Sequence, residues 1–183
     1  ARKKHIPVVS TSHAMPENLM DNITSSKTIA EPINYLLRDY GRRFHSRADV
    51  ATSPTQSAID TFGKHAEKFT KPMLVISNGI NLEQFTPGKA PASLYKKFAI
   101  PQKVPIVTYI GRVDAEKHIH VLLKAFAAVL KKVPTSHLVI VGHGTEFEAM
   151  KELADELSIA DSVTFTGRVS DEDLILLHRI GDL

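Results

Sequence analysis

Arg112 and Lys117 stand in the run Gly111-Arg112-Val113-Asp114-Ala115-Glu116-Lys117. The glycine permits a sharp turn, the arginine follows it directly, and the lysine falls near the start of the next helix. Both cations can therefore point into one crevice. Two fixed cations beside helix-terminal N–H groups suit a diphosphate, and hydrogen bonds to charged groups contribute roughly 1.5–3 kcal/mol each. The same spacing equally lets Arg112 pair with Asp114 and leaves Lys117 in water. Spacing alone favours neither reading.

Other candidates are weaker when taken singly. Gly142-His143-Gly144 lies between a strand and a helix, as a dinucleotide-binding turn would. The third glycine of that motif would fall on Phe147, so a tight-turn role is the better reading. His13 follows a strand in Ser12-His13, where a histidine can be catalytic or merely exposed. His118 and His120 are expected to point apart at a helix start, without a carboxylate at ligand spacing, so no metal site is expected. Arg38, Arg42, Arg43 and Arg47 line one helix and, with Arg2-Lys3-Lys4, could form an anion-facing patch; a solvated face explains them as well. Without tryptophan, or aromatics between those basic residues, nucleic acid is not an expected partner.

These residues need elements to hold them. Strands are expected at Ile6–Thr11, Asp49–Thr52, Met73–Ile76, Val104–Ile110, His137–Val141 and Val163–Thr166. Helical spacing predicts helices from Glu31 to about Arg47, and from Ser53-Pro54 to about Phe62. A third carries the stripe Ile119, Leu122, Leu123, Phe126, Val129, Leu130, Val133 and finishes at Lys131-Lys132. Thr145 with Glu148, and Ser170 with Asp173, read as capping boxes opening two more. The proline- and glycine-punctuated stretch from Ser77 to Pro105 marks a boundary. The division expected is 1–76, a linker at 77–92, and 93–183. Strand and helix alternate, so the fold class is α/β with parallel, doubly wound sheets. In such sheets ligands bind at the carboxyl ends of strands, which singles out Ser12-His13, Ser53, Asn78-Gly79, Gly111-Arg112, Gly142-His143-Gly144 and Gly167-Arg168-Val169.

Bulk composition agrees with a globular chain: 183 residues, 43% hydrophobic and 23% charged. The absence of cysteine excludes disulfides and thiolate chemistry and fits a reducing cytoplasm. No apolar run approaches the ~20 residues needed to span a bilayer, and no secretory leader is read at Ala1-Arg2-Lys3-Lys4. The net charge of +3 is uneven: residues 1–132 hold 20 Lys/Arg against 10 Asp/Glu, residues 133–183 hold 3 against 10. An anionic partner for the first part is one consequence. Both ends read as cut.

Taken together, Val75-Ile76-Ser77-Asn78-Gly79-Ile80-Asn81 with Phe85-Thr86-Pro87, Tyr109 to Lys117, Val139 to Gly144 and Val163 to Val169 resemble glycosyltransferase family four in order and spacing. The resemblance implies the GT-B architecture, two Rossmann-like domains facing a cleft, both incomplete here. It implies a retaining hexosyltransferase that uses a UDP- or GDP-sugar, with no metal or other cofactor. Arg112 and Lys117 would hold the diphosphate, and the backbone around Gly167, Arg168 and Val169 would border the nucleobase. Gly111, Gly142 and Gly144 would shape the donor site, and His13 would face the transferred sugar. The segment Thr11–Leu19 is most similar to enzymes that glycosylate membrane lipids, implying a lipid or glycan acceptor and a peripheral place on the inner face of the plasma membrane. His118 departs from the pattern, since glycine commonly follows the motif lysine. The family's glutamate pair would lie beyond Leu183, so the chain alone is expected to be inactive. A noncatalytic module of the same fold and an NAD-dependent oxidoreductase are the alternatives.

Overall fold

Six short apolar runs, each followed by helix-forming sequence, become strands that pair in parallel because every return passes through a helix on a sheet face. The computed structural model describes residues 6–13, 26–65 and 69–183, in two units, Ala1–Gly79 and Ile80–Leu183.

In the first unit, Val9–Thr11 (β1), Val50–Ser53 (β2) and Met73–Val75 (β3) form a parallel sheet in that order. Lys27–His45 (α1) and Gln56–His65 (α2) make the crossovers. α1 begins before Glu31, because Pro32, which resembles a first-turn residue, sits a full turn inside it. Its Ala30, Asn34 and His45 are buried. His45 Nδ1 lies 2.9 Å from Ser10 Oγ, tying the helix end to β1. α2 starts at Gln56 rather than at Ser53-Pro54, and Ser53 does not open it. That serine is the last residue of β2 and 1% exposed, and Thr55 Oγ1 instead accepts the Ala58 N–H at 3.2 Å. The arginines of α1 are engaged within the helix: Arg42 and Arg43 both pair with Asp39, and Arg38 reaches Glu31 at 4.0 Å. Arg2-Lys3-Lys4 and most of Thr11–Leu19 lie outside the described residues.

In the second unit, Ile106–Ile110 (β4), His137–Val141 (β5) and Val163–Gly167 (β6) pair in parallel, Ile106 beside His137 and Leu138 beside Val163. The helices are Ala92–Lys97 (α3), Ile119–Leu130 (α4), Phe147–Glu156 (α5) and Asp171–Leu177 (α6). Side chains alternate across β5. Leu138 and Ile140 join Leu123 and Phe126 of α4 and Met150 and Ala154 of α5 in one core. Val139 and Val141 join Leu94 of α3 and Leu177 of α6 in the other. A strand covered on both faces carries no polar alternation, which is why β5 reads as an apolar run from Leu138 to Val141 after His137.

α3 has no counterpart in the sequence reading, because the surrounding prolines hide a six-residue helix. Lys97 on α3 meets Asp173 on α6 at 2.6 Å, joining the two helices of that face. α4 ends at Leu130, and Lys131-Lys132 form the following turn rather than its last residues. Ser170 caps α6 as expected, accepting the Asp173 N–H at 3.2 Å.

The chain after α6 returns to the far edge of β4. Asp182 N–H donates to the Ile106 carbonyl at 2.8 Å, and Thr108 N–H donates to the Leu183 carbonyl at 3.0 Å. The sheet is therefore wound outward from β4 to β6 and then back past β4. The carboxyl end of β4 is the point where the winding reverses.

Candidate donor-binding site

Ligands of open parallel sheets bind where the winding reverses, because the flanking loops there diverge and leave a crevice. Gly111 and Arg112 occupy that point. The loops after the three strands are held in register beyond the strand ends: Gly111 N–H donates to Val141 O at 3.0 Å, Val113 N–H to His143 O at 3.3 Å, and Gly142 N–H to Gly167 O at 3.0 Å. Together they enclose an open hollow of about 490 Å³, whose lining includes Gly111, Arg112, Gly142, His143, Arg168 and Val169.

Two glycines make that closeness possible. A Cβ at Gly142 would stand 2.0 Å from the Gly111 carbonyl oxygen, in a backbone with φ +127°. A Cβ at Gly144 would stand 2.2 Å from the Val113 carbonyl oxygen. The residue at the position of a third dinucleotide-motif glycine, Phe147, is 8% exposed and belongs to the core.

Asp114 organises the cations. Its Oδ1 accepts the Thr145 backbone N–H at 2.8 Å and the Thr145 hydroxyl at 3.2 Å, while Oδ2 lies 2.6 Å from Arg112 Nη2. The Thr145 N–H foremost, then its hydroxyl and the positive charges of Arg112 and Lys117, hold the Asp114 carboxyl below its usual range against the opposing effect of burial. These bonds also correct the expected capping box. Thr145 is committed to Asp114, and α5 starts at Phe147 without a side-chain cap.

The pairing of Arg112 with Asp114, left open by the spacing, is present. Three quarters of the Arg112 side chain is nonetheless exposed, so much of the guanidinium remains available. Lys117 does not line the hollow. It closes a 3₁₀ turn, Ala115–Lys117, with its ammonium 3.4 Å from Glu116, yet it shares with Arg112 the field at Asp114. Tyr109 of β4 donates its hydroxyl to the Arg112 carbonyl at 2.7 Å and so fixes the loop. Burial raises the Tyr109 pKa, with the charges of Asp114 and Glu116 acting the same way and Lys117 opposing.

His118 follows in the left-handed region with φ +51°, a conformation that favours glycine. The glycine expected there by resemblance thus has a backbone reason. His118 and His120 do not point apart: their rings meet edge to face at 5.7 Å. Among the described residues no three metal-ligating side chains converge. His13 is exposed just after β1 in the first unit, where Ser12 N–H donates to the Thr52 carbonyl at 2.8 Å.

A parallel sheet with helices on both faces, lined by Arg112 and Arg168 where its winding reverses, defines a doubly wound α/β protein with its crevice at the strand carboxyl ends. The chain belongs to the glycosyl transferases group 1 family, whose model matches residues 92–183, while the model for Glycosyltransferase Family 4 matches residues 1–84. It is 30% identical to the alpha-monoglucosyldiacylglycerol synthase of Streptococcus pneumoniae, over all of this chain and 41% of that protein. It is 32% identical to a GDP-mannose-dependent phosphatidylinositol monomannoside mannosyltransferase of Mycobacterium tuberculosis, over 78% of this chain and 37% of the relative. Among solved structures, Anabaena HepE in complex with UDP and glucose matches with TM-score 0.66 at 19% identity, covering 96% of this chain and 45% of that one. WaaG, a glycosyltransferase involved in lipopolysaccharide biosynthesis, matches with TM-score 0.64 at 18% identity, covering 97% and 50%. The fold is thus that of GT-B glycosyltransferases, and the chain spans about two fifths to a half of the length of these proteins.

Proposed function

We propose that the protein is a retaining hexosyltransferase that takes its sugar from a UDP- or GDP-linked donor and gives it to a hydroxyl of a lipid or glycan acceptor. The observation that carries this reading is Arg112, three-quarters exposed beside a hollow at the reversal point of the sheet. Its neighbour Lys117 shares the same field.

As the bond from the anomeric carbon to phosphate breaks, negative charge gathers on the departing diphosphate. Arg112 and Lys117 neutralise it there, the role a metal plays elsewhere, and act without cofactor. The acceptor hydroxyl attacks from the face the diphosphate leaves, so the anomeric configuration is retained. Gly111, Gly142 and Gly144 bring backbone close to the phosphates. Gly167, Arg168 and Val169 border the nucleobase, and His13 faces the transferred sugar. Two relatives, one named as the synthase of a glucosyldiacylglycerol and one as a mannosyltransferase of phosphatidylinositol monomannoside, support a lipid acceptor. With the basic first part of the chain, they also support a cytoplasmic protein held at the inner face of the plasma membrane. No helix among the described residues is long and apolar enough to cross a membrane.

The test is transfer of labelled hexose from UDP-glucose or GDP-mannose to a diacylglycerol or phosphoinositide acceptor by the full-length protein that carries this chain, with the product anomer read by NMR. Retained configuration, lost in Arg112→Ala, is expected. An inverted product, or transfer indifferent to Arg112→Ala, contradicts the reading.

A further inference from the structure

His143 has no part in the charge chemistry above, yet it lines the same hollow as Arg112 and Arg168. Its ring lies over that of Phe147 with centroids 4.7 Å apart and planes within 19°. Phe147 is itself 8% exposed and held edge-on by Phe165 at 5.8 Å. The backbone at His143 is fixed as well, its carbonyl accepting the Val113 N–H at 3.3 Å. The imidazole is thus backed on one face by a core aromatic, while the residue as a whole remains exposed. A ring braced in this way has less rotamer freedom to give up when a ligand arrives, so stacking a second planar group on it costs less entropy than on an unbraced side chain.

The surroundings also select the ligand. Arg112 supplies positive charge on one side of the hollow, and Arg168, without a side-chain partner among the described residues, supplies it on another. Val169 and Leu174 give an apolar wall. A ligand that is anionic at one end and flat and aromatic at the other uses all of these features; a phosphate alone leaves the aromatic stack unused.

We propose that His143 is a positioning residue of the donor site, a stacking platform for the nucleobase of a nucleoside diphosphate. The inference rests on the sugar-nucleotide reading and adds to it the residue that sets the plane of the base. Base–aromatic stacking of this kind is sensitive to loss of the ring and tolerant of which ring is present.

The experiment is calorimetric titration of the protein with UDP, GDP and inorganic pyrophosphate, using wild type, His143→Ala and His143→Phe. The expected result is a Kd for UDP or GDP about tenfold weaker in His143→Ala, equivalent to about 1.4 kcal/mol. His143→Phe should bind within about threefold of wild type, with pyrophosphate binding equal in all three. A Phe variant as weak as the Ala variant overturns the stacking. So does an Ala variant that binds the nucleotides as wild type does, or one that loses pyrophosphate in parallel. A wild-type protein that binds pyrophosphate but neither nucleotide, or none of the three, overturns the sugar-nucleotide reading and the platform with it.

Discussion

At the scale of single residues, the site depends on Asp114 as much as on the cations. The carboxylate anchors Thr145 with one oxygen and Arg112 with the other, so it sets both the loop and the aim of the guanidinium. Asp114→Asn keeps an acceptor for Thr145 but removes the charge. It should leave the melting temperature within a few degrees and weaken pyrophosphate binding severalfold. Asp114→Ala should lower both, since the Thr145 donors then lose their partner. Gly142→Ala tests the packing beneath: a methyl 2.0 Å from the Gly111 carbonyl at φ +127° should cost more than about 3 kcal/mol in denaturant unfolding. Arg112, Lys117 and the glycines were visible in the sequence, because a turn and a spaced pair of charges are local. The partnership of Asp114 with Thr145 spans 31 residues. A capping box was the only local reading of Thr145-x-x-Glu148, and the long-range bond displaced it.

At the scale of elements, strands were easier to locate than helix starts. β5 ends where its apolar run does and begins one residue earlier, at His137, whose ring finds a partner in Thr164; burial on both faces leaves its other four positions apolar. α3 escaped notice since six residues between prolines carry too little periodicity, although Leu94 is 3% exposed and helps build one core. Helix packing on β5 gives a direct stability prediction: Leu123, fully buried, should cost roughly 2–5 kcal/mol on truncation to Ala. The strand and helix ends also carry a pH dependence. His137 bonds Thr164 Oγ1 at 2.8 Å from the start of β5, and His45 bonds Ser10; burial lowers the pKa of both. The unfolded chain therefore takes up protons near the ordinary value of ~6.5 before the folded one does. The stability from these two residues is complete above that pH and is lost as pH falls toward their depressed values. Asp114 and Asp173 are shifted down and stay ionised across this window. The urea midpoint should thus fall between pH 7.5 and pH 5.5, and His45→Gln with His137→Gln should flatten the change.

At the scale of the whole molecule, alternation of strand and helix was enough to predict two parallel sheets, the second of them covered by helices on both faces, and family motifs in register pointed to the GT-B class. What local sequence could not reveal is that residues 182–183 return to the far edge of β4, the feature that puts Arg112 at a reversal point. The uneven charge has a consequence at this scale too. If the basic first part meets anionic lipid, the protein should co-sediment with phosphatidylglycerol vesicles and be released by about 0.5 M salt, since screening at that strength shortens the Debye length to a few ångströms; equal sedimentation with neutral vesicles would oppose it. The central claim is narrower, that Arg112 and Lys117 together receive a diphosphate. The most direct measurement is the affinity of UDP and GDP for wild type, Arg112→Ala, Lys117→Ala and the double variant. Loss of at least about tenfold in each single variant, with a shared deficit in the double, is the predicted result; nucleotide affinity unchanged by either substitution would contradict it.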